Sequence, residues 1–374
     1  MIMNNIMDYL DWRGDLSFET SPFNEVDGLI LSTIAYAEFD KIVTESFEDQ
    51  ILLRDCYGDF SNYLTDEKYS RLGVIIPEEV INLFHKASET YRFGTLRLSG
   101  YVNHVDEEAE LQFAAITFQN TLGDVFVAYR GTDDTVVGWK EDFNLAVMDK
   151  IPAQEKAVEY LEEVYAQRSL NEMELLPTQN IGKRIYLMGH SKGGNLAIYA
   201  ATNAKPMIKE LISGVYNYDG PGFSKEFLMT DAYKSINDVT HWFLPEESMI
   251  GTLLYHGNNE YVVNSPNRGL MSHDMFSWNV LGNVFVKTGL LSKDAIVMHK
   301  IVDNVLERLT AEQTKVFISV VFDVLFANNT KTLSDINGKN FLALIDAVKT
   351  ADAETKQVFH ELGQLTMQTI KESR

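Results

Sequence analysis

The sequence predicts an α/β fold: a mostly parallel sheet flanked by helices, followed by a helical C-terminal extension. Three observations carry that expectation. In the middle of the 374-residue chain, short β-rich runs alternate with amphipathic helical patterns, as in βαβ units. One of those strands runs through a glycine-rich turn straight into a helix-forming stretch. After about residue 290 the β-rich runs stop and only helical periodicity remains.

The elements follow in order. Asn24 to Tyr36 (NEVDGLILSTIAY) spaces its apolar residues like a helix, with Asn24 as its cap. Pro77 to Tyr91 is a second helix, with proline in its first turn and acidic residues behind it. The rest of the first hundred residues mixes short helical patterns with turns. Leu111–Phe118 and Asp124–Tyr129 read as strands, and the short link Gln119–Gly123 makes them a hairpin. A helix is expected from about Val136, and an amphipathic one over Ala153–Arg168. Arg184–Met188 (RIYLM) is a buried strand and Gly193–Ala204 a helix. Leu211–Tyr218 and Val239–Leu244 are strands, and Val262-Val263 nucleates one more. Thr310-Ala311-Glu312-Gln313 is a capping box opening a helix to Phe326, and Phe341–Val348 and Thr355–Ile370 are two more. The chain is accordingly divided into a sheet domain, residues 1–290, and a helical extension, residues 291–374.

Composition narrows the function. Lys and Arg number 32 against 54 Asp and Glu, a net charge of −22. An acidic surface of that size repels phosphates and anionic lipid, so nucleic acid is not an expected partner. One cysteine, Cys56, supports neither a disulfide framework nor a cysteine zinc site. The first residues lack a basic segment followed by an apolar one, and no run of 18 apolar residues occurs, so a cytoplasmic location without a transmembrane segment is expected. No H-E-x-x-H and no G-x-x-x-x-G-K-[ST] is present, and neither a metal nor another cofactor is expected.

The chemistry-bearing signal is Gly189-His190-Ser191-Lys192-Gly193-Gly194, a G-x-S-x-G sequence. Strand before it and helix after it are the setting of a nucleophile elbow, where a strained serine stands at a helix N-terminus that favours a developing oxyanion. Ser191 then needs a base. Of the downstream histidines, His241 lies inside a strand pattern and His256 ends an apolar run like a helix C-terminus. His273 follows a loop after the last strand, where bases of this arrangement sit, and is the favoured base. The acid is either Asp219, opening the turn Asp219-Gly220-Pro221-Gly222 after a strand, or Glu246 or Glu247 after the next strand; Asp219 is preferred. Upstream, the strand ending in Tyr129-Arg130-Gly131-Thr132 can supply Thr132 to an oxyanion hole, with the N–H of Lys192 as the other donor.

These segments resemble a known family. YRGTDD…W..DF is similar to the FRGT-S…W..D segment of class 3 (fungal-type) lipases, and GHSKGG to their GHSLGG. Tyr218-Asp219-Gly220-Pro221-Gly222-Phe223 resembles the Asp-containing turn after strand 6 of pancreatic-type lipases. With the N-terminal Tyr9-Leu10-Asp11-Trp12-Arg13-Gly14-Asp15, the chain resembles an uncharacterised bacterial family of class 3 lipase-like α/β-hydrolases, the lipase-like part covering about 111–280. The resemblance implies an α/β-hydrolase-like sheet with Ser191 as nucleophile, Thr132 and Lys192 as oxyanion hole and His273 as base. It departs at the acid: class 3 lipases carry it after strand 7 in a D-x-V-P-like sequence, where this chain reads Phe243-Leu244-Pro245-Glu246-Glu247. The expected function is cleavage of a carboxylic ester, a small acyl ester or lipid, through a Ser-His-Asp triad and an acyl-enzyme. The alternative, motivated by the missing Asp and the long extension, is a catalytically idle scaffold that binds a protein partner.

Overall fold

A computed structural model describes residues 4–63, 79–106, 108–109, 111–132, 145, 150–173 and 184–293, with a few positions beyond at 295–296, 299–300, 356–357 and 360. The helix expected from Val136 and nearly all of the expected C-terminal extension lie outside the described residues.

Eight strands form one sheet in sequence order: β1 (Ile51–Leu52), β2 (Arg97–Asp106), β3 (Leu111–Gln119), β4 (Val125–Tyr129), β5 (Ile185–His190), β6 (Ile212–Tyr218), β7 (Thr240–Pro245) and β8 (Glu260–Val263). The first four pair antiparallel, and β4 to β8 pair parallel. The described helices are α1 (Ile6–Arg13), α2 (Glu25–Ile34), α3 (Leu53–Ser61), α4 (Glu79–Glu89), α5 (Pro152–Met173) and α6 (Lys192–Asn203), besides several single-turn pieces. The architecture is a mixed sheet with a parallel half, flanked by helices.

Handedness decides where the helices go. Parallel strands laid down in sequence order, joined by right-handed crossovers, send every crossover over the same face of the sheet. α5 and α6 lie on that face, in one apolar cluster with Val127, Tyr129, Leu187, Val215 and Trp242. The other face must be covered by some other part of the chain. The N-terminal helices α1–α4 cover it, in a second cluster with Phe126, Ala128, Tyr186, Met188 and Tyr218. Along β4 the two sets alternate residue by residue, as the period of a strand requires.

α2 is the centre of this second layer. Asn24 caps it, accepting from Val26 N at 3.0 Å, and residues Val26 to Ile34 are all buried. A helix buried on every side is enclosed by its neighbours, and its polar Asp27, Ser32 and Thr33 are enclosed with it. Gly28 lets it lie close on the sheet, for a Cβ there would stand 2.1 Å from Tyr218 Oη.

Two strands of the sheet are unanticipated by the sequence. β1 falls in, and β2 begins in, the first hundred residues, which read as helices and turns. The pairing of β2 with β3 shifts register between Ser99 and Val102, where Gly100 adopts φ 64° against the Phe47 ring. A bulge of this kind breaks the alternation by which a strand is recognised.

Candidate active site

β5 ends at His190 and α6 begins at Lys192, so Ser191 alone makes the turn between them. Its φ of 58° and ψ of −137° lie near a region that is almost the preserve of glycine. The neighbours allow it: a Cβ on Gly189 would meet the Gly193 carbonyl carbon at 2.1 Å, and one on Gly193 the Tyr129 carbonyl oxygen at the same distance. Ser191 N donates to Tyr218 O at 2.9 Å, and Gly194 N donates to Ser191 O at 2.9 Å. The Ser191 hydroxyl makes no hydrogen bond with any described residue. It stands over the N-terminus of a twelve-residue helix, where free N–H groups and the helix dipole favour negative charge.

β6 delivers Asp219 beside it. Asp219 also has a positive φ, 52°, and its N–H donates to Phe243 O on β7 at 2.8 Å. The turn Tyr218–Gly220 straddles the serine. Tyr218 O receives the Ser191 N–H, and a Cβ on Gly220 would stand 2.1 Å from Ser191 O. The buried Asp219 carboxylate accepts from His273 Nδ1 on Oδ2 at 2.6 Å. On Oδ1 it accepts from the Ser248 hydroxyl and, at 3.1 Å, from the Gly251 N–H. A carboxylate only accepts, so Nδ1 carries a proton, and Nε2 is the nitrogen left to accept when the ring is in its neutral form. That Nε2 has no hydrogen-bond partner among the described residues, Ser191 included.

His190 fixes the position of His273. The two rings lie 4.2 Å apart, and His190 Nε2 bonds to the His273 backbone carbonyl at 2.9 Å. A carbonyl only accepts, so His190 Nε2 carries the proton and its Nδ1 accepts from Tyr36 Oη at 3.0 Å. Burial, and next the nearby His273, push the His190 pKa well below its ordinary value. Tyr36 also lies against the upstream turn, since a Cβ on Gly131 would stand 2.2 Å from Tyr36 Oη and 3.0 Å from Ser191 Cβ. Tyr36, Ser248 and Gly251 carried no sequence signal. His190 stood inside the motif, but nothing in its spacing revealed its role.

The remaining sequence candidates sort as follows. Thr132 is buried and follows Gly131, which packs on the Ser191 turn. Lys192 is fully buried; its ammonium reaches back to β3, donating to Gln112 O at 3.0 Å and Gln112 Oε1 at 2.8 Å. Its backbone opens α6 immediately after the serine. Glu246 accepts from Asn264 Nδ2 at 2.8 Å, and no bond to His273 is recorded for it or for half-buried Glu247. His241 lies on β7, stacked between Tyr216 and Tyr261. His256 ends no helix; it follows Tyr255, which bridges to Phe223, and pairs with Glu260 at 2.7 Å. Among the described residues no group of three or more His, Cys, Asp or Glu is placed to hold a metal ion. Nor is any described helix long and apolar enough to cross a membrane.

A family model described as Mbeg1-like matches residues 87–323, well over half of the chain. The chain belongs to the Mbeg1-like family. That family is lipase-like, which agrees loosely with the class 3 lipase segments of the sequence. The Mbeg1-like match spans Ser191, Asp219, Ser248 and His273, and leaves out helices α1–α3 and most of α4. No curated protein and no solved structure matches the chain.

Proposed function

We propose that the protein is a serine hydrolase that cleaves a carboxylic ester. One observation carries the reading: the buried 2.6 Å bond from His273 Nδ1 to Asp219, next to a serine in a strained turn at a helix N-terminus. Ser191 Oγ attacks the ester carbonyl while His273 Nε2 takes its proton. Asp219 keeps the other proton on Nδ1 and stabilises the imidazolium as it forms. The N–H of Lys192, with Thr132, receives the oxyanion. The protonated His273 gives its proton to the leaving alcohol, the acyl-enzyme forms, and water activated by the same histidine releases the acid. Residues of this chain suffice for every step. The acyl group is that of a small ester or of a lipid.

The idle-scaffold reading is favoured by one feature, the missing hydrogen bond between Ser191 Oγ and His273 Nε2. In hydrolases without substrate such bonds are often long and tighten only in the complex. A fluorescent fluorophosphonate separates the two readings. Labelling of the wild type, lost in both Ser191→Ala and His273→Ala, is the expected result, and a series of esters of increasing chain length then sets the acyl group. Failure of the folded wild type to label would favour the scaffold.

A further inference from the structure

The chain carries no aspartate in the segment after β7, yet that segment reaches the site. It contributes two donors to a carboxylate that comes from β6. The Ser248 hydroxyl and the Gly251 N–H both bond Asp219 Oδ1, leaving Oδ2 to His273. Ser248 is fully buried, as befits a donor whose one task is internal. Gly251 is required by the contact: a Cβ there would stand 2.3 Å from Asp219 Oδ1 and 2.9 Å from Ser248 Oγ. No larger residue brings its N–H so close to the oxygen. A hydroxyl and a main-chain N–H converge on one oxygen from a turn three residues apart, and they fix the rotation of the carboxylate about its Cβ–Cγ bond.

We infer that Ser248 is a positioning residue of the site: with Gly251 it clamps Asp219 Oδ1 so that Oδ2 stays aimed at His273 Nδ1. The inference rests on the hydrolase reading for its kinetic consequence, and on the Asp219–His273 geometry alone for its structural one. Asp219 follows the end of β6 in a left-handed backbone conformation, φ 52°, and its Oδ1 bonds the post-β7 segment. Without the clamp, the carboxylate is free to turn, and a turn of tens of degrees breaks a directional hydrogen bond. The post-β7 segment thus supplies the holder of the acid in place of the acid itself.

The test is Ser248→Ala, read in two ways on the full chain. The first is the proton NMR signal of the His273 Nδ1–H, which a carboxylate partner moves far downfield when the ring is protonated at low pH. His273→Ala assigns it by its disappearance. The second is steady-state hydrolysis of an ester that the wild type cleaves. The clamp predicts that Ser248→Ala loses or strongly shifts the downfield signal, and that kcat falls roughly ten- to a hundredfold with KM little changed, the scale of a misplaced catalytic group. Ser248→Ala is smaller than serine and fits the site. Ser248→Thr, which keeps a hydroxyl, restores the signal where it folds. An unchanged signal in Ser248→Ala, or a wild type with no such signal, overturns the inference whether or not the protein hydrolyses esters. If the signal changes as expected while the wild type neither labels nor hydrolyses, the clamp stands and the hydrolase reading fails.

Discussion

Two of the buried carboxylates, Asp27 and Asp219, are built in opposite ways. Asp27, at the start of α2 in the N-terminal layer, meets the guanidinium of Arg92, and both side chains are wholly buried. Its Oδ1 accepts from Arg92 Nε at 2.8 Å and Tyr9 Oη at 2.8 Å, and its Oδ2 accepts from Arg92 and from Asn24 N at 3.0 Å. Arg92 uses its remaining N–H groups on the carbonyls of Leu16, Ser17, Ser21 and Pro22. That network is closed: every group in it is held by another part of the chain. The network on Asp219 is closed on one side and open on the other. Ser248 and Gly251 secure one oxygen, the second holds His273, and the run ends at a ring nitrogen that, like the Ser191 hydroxyl, has no hydrogen bond to any described residue. A closed buried charge joins parts of a fold together. An open one leaves a site to which a proton can be passed.

The same substitution made in both places separates these roles. Asp219→Asn replaces an acceptor by an amide that donates toward Nδ1. The proton of His273 then moves to Nε2, which on the hydrolase reading is the wrong tautomer for the base. We expect ester hydrolysis and fluorophosphonate labelling to fall about 10⁴-fold, with stability little altered, since Ser248 and Gly251 still find an oxygen. Urea denaturation beside the labelling rate checks both halves. Equal loss of labelling and of stability would mean that Asp219 is a structural residue like Asp27.

Asp27→Asn is expected to do the reverse. It leaves the Arg92 guanidinium buried without its counter-charge, which costs about 3–5 kcal/mol. Most domains are stable by only about 5–15 kcal/mol, so the midpoint in urea should drop steeply. The labelling rate of the molecules that remain folded should match the wild type. A small change in midpoint would show that the N-terminal layer tolerates an open network.

His190 stands where the two regions meet, with Tyr36 of the N-terminal layer on one ring nitrogen and the His273 carbonyl on the other. Its pKa is held well below the ordinary 6.5, first by burial and then by His273. The folded chain therefore keeps it neutral while the unfolded chain takes up a proton. Stability is full above about pH 6.5 and declines below it, by up to about 1.4 kcal/mol per pH unit for each such proton. His241, lowered by burial and by Lys287, steepens the same slope. Unfolding free energies between pH 8 and 5 should show the decline, and His190→Asn should flatten it by about one proton. A variant with the wild-type slope would place the acid sensitivity elsewhere.

What the sequence discloses differs between the regions for physical reasons. Ser191 and its strand and helix are legible because a nucleophile elbow is local: strand period, two small residues and a helix follow one another within twenty positions. Asp219 and His273 are legible only as candidates, since 54 residues separate them and no pattern in the chain says which carboxylate reaches which ring. Ser248 and Gly251 are ordinary turn residues until the fold sets them on Asp219. The N-terminal layer reads as an assortment of short helices. Its task follows from the handedness of crossovers it does not contain, which leave one face of the sheet for it to cover. Arg92 and Asp27 stand 65 residues apart, and neither residue type nor spacing marks them as a pair.

The smallest expected effect concerns the strain that the site stores and the closed network does not. Ser191 holds a φ of 58° with ψ −137°, while Asp27 lies within a regular helix. A non-glycine residue in such a conformation costs about 1–3 kcal/mol. Ser191→Gly removes that cost but gives the unfolded chain more freedom, which takes back up to about 1 kcal/mol. The balance should leave the variant more stable than the wild type by about 1 kcal/mol, while labelling disappears with the hydroxyl. Ser191→Ala has the same positive φ and should show no such gain, so the difference between the two variants in urea isolates the backbone contribution. Equal midpoints for Gly and Ala at this position would mean that the turn relaxes in solution, and that the serine is not held in its strained conformation before substrate arrives.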